Sequence, residues 1–160
     1  MSKRRLIIGT VVLAVVAAWY VFRPETAFID RQVHEPPPGP AVTILLTGSF
    51  VPREHGGRGL VQVLELGGGQ RVLRFSDFET LDGPDLQVYL LGAPNAARTE
   101  DLKKTEYLSL GRLKGNVGPQ NYPIPAGTDL AKYRAVAVWC RRFGVNFTTA
   151  QFETRSPPGS

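Results

Sequence analysis

The sequence predicts a mostly β domain behind one N-terminal transmembrane helix. Short stretches rich in β-branched and aromatic residues alternate with Gly, Pro and Asp from residue 41 onward. This spacing is typical of a sandwich or a small barrel. In front of them lies an uncharged apolar run, residues 6–22. We therefore expect a single antiparallel β-sandwich or small barrel of about seven strands, preceded by a membrane helix.

The apolar run, LIIGTVVLAVVAAWYVF, is long enough to cross a bilayer. As a helix it would reach about 25 Å, a little less than the hydrocarbon core, and local thinning of the bilayer absorbs the difference. Lys3, Arg4 and Arg5 precede it. The positive-inside rule then places residues 1–5 in the cytoplasm and the folded domain on the extracytoplasmic side. A cleaved signal peptide is the alternative, but the run has no A-x-A cleavage site.

The remaining chain divides into three segments. Residues 23–40 contain HEPPPGP, whose prolines favour an extended, semi-rigid stalk. Residues 41–155 would form the domain, with enough chain for one core, and residues 156–160 a flexible tail. Five of the 19 basic and three of the 14 acidic residues precede Ala41, which leaves the domain a net charge of +3. This weak, scattered charge predicts no nucleic-acid partner.

Seven stretches have the composition and length of strands. They are residues 41–50, 59–66, 71–78, 85–91, 105–113, 133–140 and 145–152. GGGQ at 67–70 and RFG at 142–144 can adopt positive φ angles and turn the chain between strands. Residues 113–130, LKGNVGPQNYPIPAGTDL, contain three prolines that cannot donate to a sheet. We therefore expect a long structured loop there.

The stretch YRAVAVWC, residues 133–140, is apolar on both faces. Period-2 alternation directs Val138 and Cys140 to one face and Ala137 and Trp139 to the other. Such a pattern suits a central strand that is buried on two sides. Cys140, the only cysteine of the chain, would end this strand. At that position we expect a half-buried side chain that can still be approached through a loop.

Three long motifs resemble those of the DM-thirteen family, found in Skeletor-type proteins and in many bacterial exported proteins. They are LRFSDFETLDGPDLQVYL, LGRLKGNVGPQNYPIP and YRAVAVWCRRFGVNFTTA. GSFVPREHGGRGLVQVLEL resembles the opening hairpin of the family, with His55 in the usual place. The resemblance covers roughly residues 45–152. The closing FTTAQF departs from it, because Gly and Leu are expected there.

The resemblance implies an electron-transfer domain that uses its cysteine as a bare thiol or as a ligand to a prosthetic group such as haem. The corresponding residue here is Cys140, and a redox partner protein would follow from the bare-thiol role. Arg142 would lie on the same face if the strand continued and would favour the thiolate, whereas burial would oppose it. A dithiol cycle within one copy is excluded, because no second cysteine is present.

Further ligands for a cofactor are scarce, so its identity and any metal stay open. His55 could complete an axial pair with Cys140, although a turn histidine in EHGGRG is the plainer interpretation. The chain has no C-x-x-C-H motif for covalent haem attachment. Zinc or copper would also require carboxylates, and those in DFETLDGPD fit turn chemistry better.

Two functions therefore remain open, with an envelope scaffold as a weaker third. In the first, Cys140 is a redox centre supported by Trp139 and Arg142. In the second, the domain is a non-catalytic ligand- or protein-binding module in which Cys140 only packs, as most free cysteines do. An accessible spare thiol is unusual in an oxidising compartment, which favours the first. A hydrolase is not expected, since the sequence has no nucleophile elbow and no phosphate loop.

Overall fold

A computed structural model describes residues 3–22, 30–52 and 56–153. The expected tail at 156–160 and the first part of the expected stalk, residues 23–29, lie outside the described residues. Helix α1 spans Lys3–Phe22. Its residues Lys3–Val21 have a mean hydropathy of 1.7 and are long and apolar enough to cross a membrane. The expectation of an N-terminal helix suited to a membrane is thus confirmed.

Eight antiparallel strands form one sheet in the described part of the chain. They are β1 Ala41–Val51, β2 Arg58–Leu66, β3 Arg71–Glu79, β4 Leu86–Leu91, β5 Tyr107–Arg112, β6 Gln120–Ile124, β7 Ala135–Cys140 and β8 Val145–Gln151. Their order across the sheet is β5-β4-β7-β8-β1-β2-β3-β6. The sheet curls until β5 and β6 approach each other, which gives a nearly closed barrel. The mostly β fold is confirmed.

Two expected turns occur where glycines allow them. Gly68 and Gly69 have φ angles of 86° and 79° in the hairpin between β2 and β3, where the amide of Leu66 donates to the carbonyl of Gln70 at 2.8 Å. Gly144 has a φ angle of 65° in the turn between β7 and β8. Both positions lie in the left-handed region that glycine tolerates best.

The expectation of a loop throughout residues 113–130 was wrong in part, because Gln120–Ile124 form β6. β6 pairs with β3 on one side and lies at the end of the sheet order. Pro123, opposite Val72, is exposed. Proline is tolerated on an edge strand because no neighbour requires its missing amide. The prolines correctly excluded a central strand, but they did not exclude an edge strand.

Because the strands alternate in direction, the connections fall at two ends of the barrel. The cysteine end comprises residues 80–85, 113–119 and 141–144, together with the last residues of β1, β3, β5 and β7. The hairpin end comprises residues 67–70, the two ends of the connection 92–106, and residues 125–134. The middle of the connection 92–106 reaches the cysteine end, where the amide of Thr99 donates to the carbonyl of Gly144 at 3.2 Å. Helix α2, Thr99–Leu102, lies within the second of these connections.

The core has two layers. Inside the barrel, Phe50, Phe75 and Phe78 pack with ring centroids 4.9 to 5.0 Å apart. A second cluster joins Tyr89 and Trp139 to Leu102 of α2, on the outer face of the sheet. β7 is buried along its whole length because it belongs to both layers.

Part of the expected stalk packs on the barrel instead of standing free. We call residues 30–36 the strap. Its backbone runs beside residues 117–119, with Val33 donating to the carbonyl of Val117 at 2.9 Å and Glu35 donating to that of Pro119 at 3.0 Å. The strap begins at the cysteine end and reaches β6, where the amide of Asn121 donates to the Glu35 carboxylate at 2.7 Å.

Candidate redox site at the end of β7

Cys140 is the last residue of β7, as the sequence predicted. Its partners across the sheet are Leu86 of β4 and Val145 of β8. Its side chain points into the barrel together with Val138, whereas Trp139 points outward. The predicted division of β7 into two apolar faces is therefore confirmed.

The expectation that Cys140 is half-buried was wrong, because its exposed fraction is 0%. The chain folds back over the strand end, with the amide of Gly144 donating to the carbonyl of Cys140 at 2.8 Å. Residues 80–85 close the same end of the barrel. Asp85 accepts hydrogen bonds from Arg141 twice, at its carbonyl from the amide and at its carboxylate from Nε. We call residues 141–144 together with residues 80–85 the cap.

An ion pair between Arg141 and Asp85 joins the two segments of the cap. Burial alone would raise the pKa of Asp85, but the hydrogen bonds from Arg141 and Gln87 outweigh it and lower the pKa. The Arg141 Nε to Asp85 Oδ2 distance is 2.8 Å. Because the Arg141 side chain is mostly exposed, this pair adds only a small part to the stability of the cap.

Arg142 does not continue the strand face that the sequence suggested. β7 ends at Cys140, and Arg142 is an exposed residue of the turn. It makes no ion pair or hydrogen bond with Cys140 in the described structure. The structure therefore provides no contact through which Arg142 would act on the thiol.

Trp139 is 2% exposed and stacks on Tyr89, with ring centroids 6.4 Å apart and an interplanar angle of 26°. Tyr89 in turn contacts Tyr107, 5.0 Å away, which is 47% exposed. Burial raises the pKa of Tyr89, and the neighbouring Tyr107 adds to the effect. These three rings cover the outer face of β4 and β7 and hold the strand that carries Cys140.

Three of the four carboxylates considered as metal ligands have other partners. Asp82 binds Arg31 of the strap at 2.7 Å and accepts the amide of Gly83 at 2.8 Å, so it is a turn residue as expected. Glu79 pairs with Arg58. Within the described ranges, no three side chains of His, Cys, Asp or Glu are grouped closely enough to hold a metal ion.

A family model described as Electron transfer DM13 matches residues 49–152, more than half of the chain. The matched range includes strands β2 to β8 and Cys140. The chain belongs to this family. No curated protein matches the chain, and no solved structure matches it either.

A haem does not fit beside Cys140 of this DM13 domain. A thiolate ligand needs the iron next to its sulfur, so the porphyrin would have to enter the barrel core. That space is filled by buried apolar side chains, and Cys140 is closed off from solvent. Cys140 lines neither the open groove at the hairpin end, which is described below, nor the small depression between Gly57, Arg58 and Leu81. His55, the second axial ligand suggested by the sequence, lies outside the described residues.

The contacts of the strap were missed from the sequence. A side chain at Gly115 or Gly118 would overlap the backbone carbonyl of Arg31 or Val33, so these two glycines make room for the strap. Below them Gln120 is fully buried, donates to the carbonyl of Gly115 at 2.9 Å and accepts from the Tyr122 hydroxyl at 2.6 Å. The signal was the GNVGPQ sequence, whose closely spaced glycines suit a close backbone approach.

Proposed function

We propose that this protein is a membrane-anchored, extracytoplasmic electron-transfer domain with Cys140 as its redox centre. The observation that carries the proposal is membership of the DM13 family over a range that includes Cys140, the only cysteine of the chain. The fold adds that this sulfur lies one residue from the surface turn that closes the barrel.

The proposed topology is supported by α1 and its flanking charges. Residues 6–22 would be the uncleaved anchor, and the basic residues at positions 3–5 favour a cytoplasmic N-terminus. Residues 41–155 would then form the extracytoplasmic domain, held near the membrane by residues 23–40. The membrane and a redox protein would be its partners.

In this proposal Cys140 reacts as a bare thiol after the cap opens. Its thiolate attacks a disulfide of a partner protein, a sulfur–sulfur bond forms between the two proteins, and the second partner sulfur leaves as a thiolate. Because the chain has no other cysteine, a different thiol must resolve the mixed disulfide: it forms a disulfide with the bound partner sulfur, and the Cys140 sulfur leaves as a thiolate. Full burial makes the opening step necessary, since a disulfide cannot reach a sulfur with no exposed surface.

Oxidised glutathione tests this function in the full chain in detergent. We expect the folded protein to gain one glutathione at Cys140, detected by mass spectrometry, and to lose it on reduction. Cys140→Ser is the matched control and must gain none. A folded protein that stays unmodified until denaturant unfolds it would contradict the proposal.

The second candidate, a non-catalytic binding module, is favoured by the burial of Cys140 in the barrel core. An open groove of about 860 Å³ lies at the hairpin end, between residues 68–72 and residues 123–131. Arg71 spans it, donating to the carbonyl of Thr128 at 3.1 Å. If the folded thiol proves inert, this groove becomes the first place to search for a ligand.

A further inference from the structure

The strap determines which end of the barrel is tied to the membrane. It begins at Asp30, which accepts a hydrogen bond from Asn116 at 2.8 Å, and continues with Arg31, which binds Asp82 at 2.7 Å. Asn116 and Asp82 belong to two different connections of the cysteine end. The chain that leaves the anchor therefore first contacts the barrel at its cysteine end, through Asp30 and Arg31.

The tether between anchor and strap is short. From Phe22, the last residue of α1, to Asp30 the chain can reach at most about 28 Å when fully extended. The nine residues of β3 alone extend about 30 Å. An inverted barrel would need Asp30 nearly a barrel length above the bilayer, which would require the tether at full extension. The length of the chain therefore favours a cysteine end that faces the membrane.

The surface of the cysteine end suits contact with lipid. Phe143 is 58% exposed and Leu81 54% exposed, and Val51 at the end of β1 is exposed as well. Outside α1, the other exposed large hydrophobic residues in the described part of the chain are Ile44 and Tyr107, away from this end. Apolar side chains that stand out at one end of a tethered domain can insert at the bilayer interface.

Most of the carboxylates at this end are neutralised by a partner. Asp82, Asp85 and Glu79 are each paired with an arginine, whereas Asp30 and Asp77 are exposed and have no ion pair with a described residue. Arg142, beside Phe143, has no ion pair with any described residue and is exposed. A free arginine next to an apolar side chain can bind a lipid phosphate while the ring enters the interface.

We propose that the cysteine end of the barrel docks on the bilayer that holds α1, with Leu81 and Phe143 at the lipid interface and the strap fixing this orientation. The inference rests on the proposed membrane anchoring. It places the cap over Cys140 on the membrane side of the domain, so that the groove at the hairpin end faces away from the bilayer.

Fluorescence quenching by labelled lipid tests the docking. Leu81→Cys, Phe143→Cys and Gln70→Cys are each introduced into the full chain carrying Cys140→Ser, labelled with bimane and reconstituted into phosphatidylcholine vesicles. The vesicles contain a phosphatidylcholine with a nitroxide on its headgroup. Gln70, exposed in the hairpin at the opposite end, is the matched control. We expect quenching at positions 81 and 143 to be several-fold stronger than at position 70.

Equal quenching at both ends, with the protein still in the vesicle pellet after alkaline carbonate, would overturn the docking and leave the anchoring intact. Protein released by carbonate would overturn both.

Gly115→Ala tests the strap separately, because its methyl group would overlap the Arg31 carbonyl. We expect this change to abolish the difference between the two ends while α1 stays in the membrane. A difference that persists would contradict the role of the strap.

Discussion

At the scale of single residues, Cys140 and Trp139 are neighbours in sequence but belong to different layers of the core. Cys140 fills the barrel end, and Trp139 seals the outer face against Tyr89. The alternation of β7 predicted this division, because successive side chains of a strand point to opposite faces. The burial of Cys140 could not be predicted, since it depends on a cap built from residues 80–85, far away in the sequence.

We expect Trp139→Ala to lower the free energy of unfolding by about 3–5 kcal/mol, because it empties a large, fully packed position. Urea unfolding followed by circular dichroism would measure the loss. Tyr107→Ala, which removes an exposed ring from the same row, is the matched control and should cost much less. Similar losses from both would argue that Trp139 does not seal this layer.

Cys140→Ser should cost about 1–3 kcal/mol, because a hydroxyl would replace the thiol among apolar side chains and lose its hydrogen bonds with water. A half-buried position, as predicted from the sequence, would carry a smaller cost. Cys140→Ala introduces no polar group, so it should lower the free energy of unfolding by less than Cys140→Ser does. A serine variant as stable as the parent in urea would show that water reaches this position.

At the scale of elements, the packing of the strap on the barrel is the feature that the sequence did not predict. Four prolines in residues 36–40 indicated an extended segment, but extension alone does not say whether a segment stands free or packs on a neighbour. The strap packs because Gly115 and Gly118 leave room for its backbone. Hydrophobic periodicity and the structural preferences of residues describe one segment at a time. They therefore predicted the two tight turns but not the packing of the strap or the edge strand β6.

A fragment that begins at Asp30 should be more stable than one that begins at Ala41. Removing the strap leaves Asp82, whose side chain is only 4% exposed, without its arginine, and uncovers Asn116. We expect a loss of about 3 kcal/mol, because several hydrogen bonds between the strap and the barrel, each worth about 0.5–1.5 kcal/mol net, are lost together. Urea unfolding of the two fragments would measure it. Equal midpoints and slopes would mean that the strap does not stabilise the barrel.

The contact between Glu35 and Lys114 should make the strap sensitive to acid. Burial acts to raise the pKa of Glu35, but the hydrogen bonds from Lys114 and the Asn121 amide outweigh it, and the pKa falls below its ordinary value of 4.5. A carboxyl with a lowered pKa stabilises the folded state above its unfolded pKa and loses that effect as the pH falls through its folded pKa.

We therefore expect Glu35→Gln to be less stable than the parent at neutral pH, and the difference to shrink as the pH falls below 4.5 and through the lowered pKa of Glu35. Thermal unfolding of the fragment that begins at Asp30, recorded from pH 7 down to pH 3, would show the convergence. Glu153→Gln is a control outside the strap. A constant difference across that range would show that Glu35 does not titrate with a lowered pKa.

At the scale of the whole molecule, the sequence predicted a mostly β domain and a membrane-type helix, and both are present. It could not predict that the strands close into a barrel with two distinct ends, because pairing between distant strands depends on tertiary contacts. Those ends give the molecule its polarity. The cap over Cys140 and the start of the strap share one end, and the open groove lies at the other.

The central claim is that Cys140 becomes reactive through local opening of the cap. The most direct test is native-state alkylation of the fragment that begins at Asp30, with the opening free energy compared with the free energy of global unfolding. Val63→Cys in Cys140→Ser, a fully buried position within β2, is the matched control. We predict that Cys140 opens at a clearly lower free energy than global unfolding, that Asp85→Asn lowers it further, and that position 63 reacts only on global unfolding. If Cys140 reacts no sooner than position 63, the thiol is a packing residue and the redox account is wrong.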